Sequence, residues 1–282
     1  MSEYPQSVVR DGMRIEWDVP IEMDDGVTLR CDVYRPPEDG QYPVIMSSGP
    51  YGKWLHFEDG YPHQWKQMCE EHPDVPADST NKYQAWEVAD PEMWVPEGYA
   101  VVRIDSRGAS RSPGYLDVWS HREAQDLAEC VEWAGRQDWS TGKIGLNGIS
   151  YFAINQWQAA ALQPDHLEAI CPWEGAADFY RDASYHGGIY TTWAERWYAR
   201  QVETVQHGVS ENGYRSRMTG DWVAGPETLS ELELDDNRAD LAEEWRTSDL
   251  ITDEYWQSRN PDWSRVDVPM LSAGNWGGHG LH

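Results

Sequence analysis

"KIGLNGISYFAINQW", residues 143–157, joins an apolar run to a helical pattern through a turn at Ser150. A nucleophilic serine needs this context, because a strand, a sharp turn and a helix together expose its hydroxyl beside free helical N–H groups. Gly148 is the small residue two positions before the serine, whereas Phe152 stands where a second glycine is usual and Ala153 follows it. A serine in an ordinary tight turn fits the same residues. The segment alone therefore leaves Ser150 either a nucleophile or a turn residue.

Short apolar runs recur on both sides of this segment, with helical patterns between several of them. The runs are VIM (44–46), YAVVRID (99–105), KIGLNGI (143–149), LEAICPW (167–173) and VPMLSAG (268–274). Near-continuous apolar runs are typical of strands buried on both faces, and their alternation with helices predicts an α/β fold with a mostly parallel sheet. Residues 14–36 contain two further strand patterns around Asp24-Asp25-Gly26, which predicts a hairpin at the sheet edge.

Two predicted helices flank the serine turn. One begins at Ser120, which has the spacing of a capping box with Glu123. Its buried face is predicted to contain Leu127, Cys130, Val131 and Ala134, and the helix after Ser150 is predicted to have a buried stripe of Ile154, Trp157 and Ala161.

The order of these patterns divides the chain into three parts. Residues 1–175 form the first part of the core, with a long polar excursion at 54–96. Residues 176–264 are predicted to be a mainly helical insertion that acts as a cap over the site. Residues 265–282 contain a core strand and the end of the chain.

The charge is strongly negative. Asp and Glu number 49 against 22 Lys and Arg, which gives a net charge of -27, and only four residues are lysine. An acidic surface with few lysines predicts a halophilic protein, because concentrated salt screens the self-repulsion. The same surface predicts no binding to nucleic acid or to anionic membranes.

The location is predicted to be cytoplasmic. The sequence contains no run approaching the ~20 apolar residues of a membrane span, and the first residues lack an apolar core or basic leader. Its four cysteines, Cys31, Cys69, Cys130 and Cys171, lie apart beside apolar neighbours. We therefore expect buried free thiols in a reducing compartment.

Five segments together carry a family resemblance. They are DDGVTLRCDVYRP (24–36), GPYGKW (49–54), GYAVVRIDSRGASRSPG (98–114), EWAGRQDWSTGKIGLNGISYFAINQW (132–157) and PWEGAADFYRD (172–182). In this order they resemble the family of X-prolyl dipeptidyl-peptidases, cocaine esterase and α-amino-acid ester hydrolases, from about residue 14 to the end. The resemblance implies an α/β-hydrolase core, a helical cap and a C-terminal β-sandwich. It also implies cleavage of small esters or peptides by Ser, Asp and His, with no cofactor.

The resemblance also implies roles for single residues. Ser150 falls on the family's nucleophile, and the backbone N–H of Tyr151 falls on one oxyanion donor. The hydroxyl of Tyr51 falls on the second donor, a role that a tyrosine O–H can fill chemically. Without the resemblance, Tyr51 is more simply a packed turn residue.

Other polar residues follow the predicted strands at the same edge of the sheet. Trp173, Glu174 and Asp178 match the family's substrate pocket, where a carboxylate could hold an amino group, although solvated or bracing roles fit equally well. Asp105 and Arg107 follow another strand. They could contact substrate, but a charge pair that braces the loops is the better interpretation.

The rest of the catalytic triad is not evident. The family's acid lies in a turn that corresponds to 275–278, and the aligned residue is Gly277. His279 and His282 lie in that acid loop rather than in the usual base loop, and His186 lies in the predicted cap. The family's last strand, its histidine and its β-sandwich have no counterpart in these residues.

Two function classes therefore remain open. The first is a serine hydrolase that forms an acyl-enzyme on Ser150, with the base supplied by a missing C-terminal segment or by a partner chain. The second is a non-catalytic module of the same fold. A metal site is not predicted, because the two histidines of HGLH (279–282) are too close for helical i,i+4 spacing.

Overall fold

The computed structural model of the chain describes residues 6–276, and seven strands in one sheet form its centre. In chain order they are β1 (Ser7–Arg10), β2 (Met13–Glu22), β3 (Thr28–Arg35), β4 (Tyr42–Gly49), β5 (Ala100–Asp105), β6 (Ser140–Ile149) and β7 (Leu167–Trp173). Their spatial order is β1-β2-β3-β5-β4-β6-β7. Strands β4 to β7 pair in parallel, and β3 joins them to the antiparallel strands β1 and β2.

The predicted hairpin is observed as β2 and β3, but its predicted place at the edge is wrong. Strand β1 pairs with β2 and lies outside the hairpin. Strand β1 was not predicted, because this four-residue strand is exposed or half-buried at every position. It is too short for a recognisable alternation.

Ten α-helices lie in the described part of the chain. They are α1 (Phe57–Gly60), α2 (Pro62–Glu71), α3 (Asp74–Ala77), α4 (Pro91–Trp94), α5 (His121–Gly135), α6 (Tyr151–Ala161), α7 (Trp193–Trp197), α8 (Glu231–Asp236), α9 (Leu241–Thr247) and α10 (Glu254–Arg259). Short π-helical segments span Phe179–Ser184 and Tyr198–Val202, and 3-10 turns span Glu203–Val205, Ser210–Asn212 and Trp263–Arg265. Strands alternating with α5 and α6 confirm the predicted α/β class.

Helix α6 is buried at every residue, not only along the predicted stripe. Its Trp157 packs with the sheet residues, whereas Ile154 packs with side chains of segment 176–264. Polar side chains of the helix also donate to buried carbonyls: Asn155 donates to that of Ser48 at 2.7 Å, and Gln158 to that of Arg259 at 2.6 Å. The helix that follows the candidate nucleophile is therefore packed on all sides.

The excursion and the predicted cap consist mostly of short helices. Helices α1 to α4 lie between β4 and β5, and α7 to α10 lie between β7 and residue 264, after the two-residue strands β8 (Tyr185–His186) and β9 (Ile189–Tyr190). Side chains of segment 176–264 form one buried cluster with Tyr51, Tyr151 and Phe152. The segment thus covers the residues beside Ser150, and its action as a cap remains a prediction.

The run predicted as a strand at 268–274 forms two isolated parallel bridges to β7, Ile170 with Met270 and Trp173 with Ala273. The carbonyls of Ile170 and Pro172 accept from Leu271 and Ala273 at 3.0 and 3.1 Å. Pro172 has no N–H to return, so the ladder is interrupted at that residue. The predicted continuous strand is therefore wrong.

One smaller expectation, the burial of all four cysteines, is also corrected. Cys31 and Cys130 are buried free thiols as predicted, but Cys69 and Cys171 are partly exposed.

Within residues 6–276, no helix is long and apolar enough to cross a bilayer. No set of three or more His, Cys, Asp or Glu side chains in that range is arranged to hold a metal ion.

The charge predicts a strong dependence of stability on salt. With a net charge of -27, the folded chain repels itself, and salt screens exposed charges over a Debye length of about 3 Å at 1 M. We expect the thermal midpoint to rise from low salt to about 1 M KCl. Equal midpoints in both conditions would contradict the halophilic interpretation, and an equimolar sucrose series separates ionic screening from general preferential exclusion.

Candidate active site

Ser150 has the backbone conformation of a nucleophile elbow. Its φ is 58° and its ψ is -110°, a strained region for a residue with a side chain. Strand β6 ends one residue before it, and helix α6 begins one residue after it. Hydrogen bonds clamp both sides of the turn: Ser150 N–H donates to the carbonyl of Trp173 at 2.8 Å, and Ile149 N–H to that of Glu87 at 3.1 Å.

Glycines on two strands make room for the unusual Phe152. A Cβ on Gly148 would lie 2.2 Å from the Cβ of Phe152, and a Cβ on Gly49 would lie 2.5 Å from its ring. Both distances are too short for real side chains, so the Cβ of Phe152 requires glycine at position 148 and its phenyl ring requires glycine at position 49. The elbow therefore departs from the G-x-S-x-G pattern without losing the close approach between strand and helix.

Tyr51 lies directly beside the elbow. Its ring centroid is 5.7 Å from those of Tyr151 and Phe152, and the side chain is 5% exposed. Its hydroxyl oxygen accepts from Trp197 Nε1 at 3.0 Å, which leaves its proton available to a second acceptor. Burial and the nearby Glu87 raise the pKa of Tyr51 well above the usual value. The hydroxyl is therefore neutral at physiological pH and can donate.

Tyr151 contributes its backbone rather than its side chain. It is the first residue of α6, where an N–H has no acceptor within the helix. Its side chain is fully buried, and the hydroxyl donates to the two oxygens of Glu123 at 2.7 and 2.6 Å. The backbone N–H can thus face an anion at Ser150 while the ring anchors the helix.

A buried ion pair holds the turn that carries Tyr51. Asp105 accepts from Lys53 N–H and from Lys53 Nζ, both at 2.7 Å. The two side chains are 0% and 1% exposed. Asp105 therefore braces this turn, but its predicted pairing with Arg107 is wrong. Arg107 instead bonds Asp126 at 2.7 Å on helix α5.

Two further carboxylates extend this buried pair into a network. Asp18 bonds Lys53 Nζ at 3.2 Å and Arg111 at 2.9 Å, and these cations outweigh burial to bring the pKa of Asp18 to about 2. Asp32 accepts from Trp54 Nε1 at 2.8 Å, and burial raises its pKa to about 7 despite Lys53. The hairpin β2–β3 is therefore tied electrostatically to the Tyr51 turn.

The three residues predicted to bind substrate have different surroundings. Trp173 is 37% exposed at the end of β7, and Glu174 has a strained φ of 56° directly after it. Asp178 caps the segment Phe179–Ser184 by accepting from Arg181 N–H at 2.9 Å and pairs with the Arg181 guanidinium. These contacts give Asp178 a bracing role within its own segment. Substrate contact by Trp173, Glu174 and Asp178 stays a prediction.

Sequence reasoning missed Glu87 and Glu123. Glu87 lies in the excursion, and its Oε2 is buried without a hydrogen-bond partner in the described structure. Burial and Glu174 raise its pKa well above the usual value. An isolated glutamate in a polar stretch gives no sequence signal, whereas Glu123 was recognised only as a helix-capping residue.

No histidine within residues 6–276 forms a hydrogen bond with Ser150. His186 bonds the carbonyl of Asp182 instead, and its place in a cap stays a prediction. Gly277, His279 and His282, considered for the acid and base positions, lie outside the described residues.

The mixed sheet and the strained serine between β6 and α6 define an α/β-hydrolase. The chain belongs to the X-Pro dipeptidyl-peptidase (S15) family, whose pattern matches residues 25–280. This confirms the resemblance inferred from the motifs.

Individual relatives agree with this assignment. The chain is 35% identical over 171 residues to cocaine esterase from Rhodococcus sp. (strain MB1 Bresler), a match that covers 61% of this chain and 25% of the esterase. A Xaa-Pro dipeptidyl-peptidase from Streptococcus pneumoniae is 21% identical over 306 residues, covering 90% and 38% of the two chains. These relatives are hydrolases, and the chain spans well under half of their length.

A solved structure matches most of the chain. A CocE/NonD family hydrolase from Staphylococcus aureus superposes with a TM-score of 0.74 and 35% identity, covering 96% of this chain and 42% of that one. An α-amino acid ester hydrolase superposes with a TM-score of 0.58 at 16% identity, which supports the fold alone.

Proposed function

We propose that the chain carries the nucleophile and oxyanion site of a serine hydrolase that cleaves an ester or amide through an acyl-enzyme. The observation that supports this most is the strained backbone of Ser150, φ 58°, at the strand–helix junction. Such strain is uncommon at a residue with a side chain and is concentrated at functional sites. The family relationship supports the same chemistry.

The chemistry follows from the positions of the donors. Ser150 Oγ attacks the carbonyl carbon, and its proton passes to a base. The resulting oxyanion accepts from Tyr151 N–H and from the Tyr51 hydroxyl, which stabilise the charge as it develops. Collapse of the tetrahedral intermediate expels the alcohol or amine and leaves the acyl group on Ser150. Water then releases the acid and restores the serine.

We further propose that the base and the acid come from outside residues 6–276, from a C-terminal segment or from a partner chain. A serine without a base is a weak nucleophile, and no histidine of the described residues contacts Ser150. The relatives, of which this chain spans 25% to 42%, have additional length that could supply these groups.

When the C-terminal part of a longer relative is added to supply the base, we expect a fluorophosphonate probe to label Ser150 in about 1 M KCl, with the modified residue located by mass spectrometry. Ser150→Ala should abolish labelling, and the exposed Ser264→Ala should not change it. Labelling elsewhere, or labelling that survives Ser150→Ala, contradicts the proposed nucleophile. Comparing an X-Pro amide with a simple acyl ester then distinguishes peptidase from esterase activity.

A second candidate is a non-catalytic module of the same fold. The interrupted pairing of 268–274 with β7 favours it, because Met270 and Leu271 remain 48% and 56% exposed at the edge of the sheet. A folded chain that stays unlabelled alone, and stays unlabelled when the C-terminal part of a longer relative is added, supports the module. Restored labelling supports the enzyme.

A further inference from the structure

Glu123 makes contacts that its helix does not need. Ser120 caps α5 by accepting from Glu123 N–H at 3.2 Å, as the capping box predicts. The reciprocal bond of that motif is missing, because the Glu123 carboxylate turns to Trp119 N–H at 2.6 Å and to the Tyr151 hydroxyl. The side chain is 6% exposed. It therefore links the start of α5 to the start of α6, which carries the elbow.

The contacts of Glu123 extend to both candidate oxyanion donors. Tyr151 is stacked on Trp119, with ring centroids 4.4 Å apart, and Trp119 is stacked on Trp197 at 4.9 Å. Trp197 Nε1 then donates to the Tyr51 hydroxyl at 3.0 Å. One end of this aromatic stack is the residue with the backbone donor, and the other end holds the hydroxyl donor.

The backbone at Trp119 adds a second observation. Its φ is 55°, an uncommon conformation for a bulky residue. The bond from its N–H to Glu123 holds the ring in the stack despite that strain. Replacing the carboxylate by a neutral amide therefore weakens the bonds that anchor two groups, the strained Trp119 and the Tyr151 hydroxyl.

We propose that Glu123 is a positioning residue of the candidate active site, which aligns the Tyr151 N–H and the Tyr51 hydroxyl toward one oxyanion through the stack of Tyr151, Trp119 and Trp197. The proposal rests on the proposed serine-hydrolase function. Glu123 touches no reacting atom and acts only through these side chains.

The electrostatic surroundings of Glu123 agree with this role. Burial raises the pKa of Glu123 to about 7, although the bonds from Tyr151 and Trp119 oppose the shift, and Asp126 on the same helix adds to it. Desolvating a carboxylate is unfavourable. A solvent-exposed capping box such as that of Ser230 and Glu233 would complete a helix start without this cost.

The test is a double-mutant cycle on the rate of fluorophosphonate labelling. We expect Glu123→Gln to lower the rate about tenfold, less than the 10²–10³-fold loss of a whole oxyanion donor. Because Glu123 acts partly through the Tyr51 donor, the same change should have a smaller effect in a Tyr51→Phe background.

The matched control is Glu129→Gln on the same helix, which should leave the rate unchanged. The Glu129 carboxylate bonds Arg122 rather than the aromatic stack. Equal effects of Glu123→Gln in both backgrounds, or a rate within about twofold of the parent, would overturn the proposal.

A second measurement does not depend on hydrolase activity. In a Ser150→Cys background, the pH dependence of alkylation by iodoacetamide at residue 150 gives the pKa of the introduced thiol, which anion donors lower. We expect Glu123→Gln to raise this pKa by about one unit, with Glu129→Gln as control. An unchanged pKa overturns the role of Glu123 even if the parent chain is labelled. If Glu123→Gln raises the thiol pKa but Ser150 is never labelled, the positioning role of Glu123 is supported and the proposed hydrolase function is contradicted.

Discussion

Lys53→Met is expected to lower the free energy of unfolding by about 3–5 kcal/mol. Lys53 is 1% exposed, and its Nζ is shared between Asp105 at 2.7 Å and Asp18 at 3.2 Å. Methionine fills a similar volume but leaves Asp105, which is 0% exposed, without its cation. Urea unfolding followed by tryptophan fluorescence measures this loss of stability.

Lys82→Met is the matched control, because Lys82 pairs with Asp11 at the surface, with side chains 45% and 35% exposed. Exposed pairs contribute about 0–1 kcal/mol.

The loss should depend on pH. Burial already raises the pKa of Asp32 to about 7 despite Lys53, and loss of that cation raises this folded-state pKa further above the ~3.9 of an unfolded aspartate. Stability of the variant is then highest below the unfolded pKa and falls as pH rises through the folded values. The difference from the parent should therefore be larger at about pH 8 than at about pH 5. A loss no larger than that of Lys82→Met at both pH values would show that the network is not needed for stability.

Tyr51→Phe is expected to reduce the rate of fluorophosphonate labelling at Ser150 by about 10²–10³-fold, the usual effect of removing one oxyanion donor. The change removes the hydroxyl beside the elbow and keeps the ring, which packs 5.7 Å from Tyr151 and Phe152. The folded chain also loses the bond from Trp197 Nε1, which contributes about 1 kcal/mol. The rate should therefore change far more than the stability.

Tyr34→Phe is the matched control for this experiment. Tyr34 is also fully buried, and its hydroxyl has no hydrogen-bond partner in the described structure. It belongs to a different side-chain cluster from Tyr51, so its loss should leave the labelling rate unchanged. Similar rates for the two variants and the parent would assign Tyr51 to packing, the interpretation that the turn alone suggested.

Local sequence was sufficient for the main elements of the fold. The apolar runs of β4 to β7, the hairpin β2–β3 and the buried face of α5 are visible because each depends on a short repeating pattern. Strand β1 and the interrupted run at 268–274 were not predicted correctly. Strand β1 is too short to show a pattern. The pairing of 268–274 depends on which residues of β7 lie opposite, and Pro172 in β7 lacks the N–H that a continuous ladder needs.

The candidate site was only partly predictable for the same reason. Ser150 was found because strand, turn and helix are adjacent in sequence, and Tyr51 because its motif matches a family. Glu87 and Glu123 reach the elbow from 63 and 27 residues away in the chain, counted from Ser150. No local motif indicates that either glutamate lies close to Ser150 in the folded chain. Arg107 was assigned the wrong partner, since charge pairing depends on distances that sequence order does not give.

The sequence by itself determined the α/β class and the family and predicted Ser150 as the candidate nucleophile, because these follow from hydrophobic periodicity, turn chemistry and contiguous motifs. Tertiary structure alone decided that Lys53, rather than Arg107, neutralises Asp105, and that Glu123 bonds Tyr151. It also decided that glycines on two strands admit Phe152 at the elbow. The physical reason is that buried charges and close packing act over a few ångströms in space, and only folding brings residues from distant parts of the chain within that range.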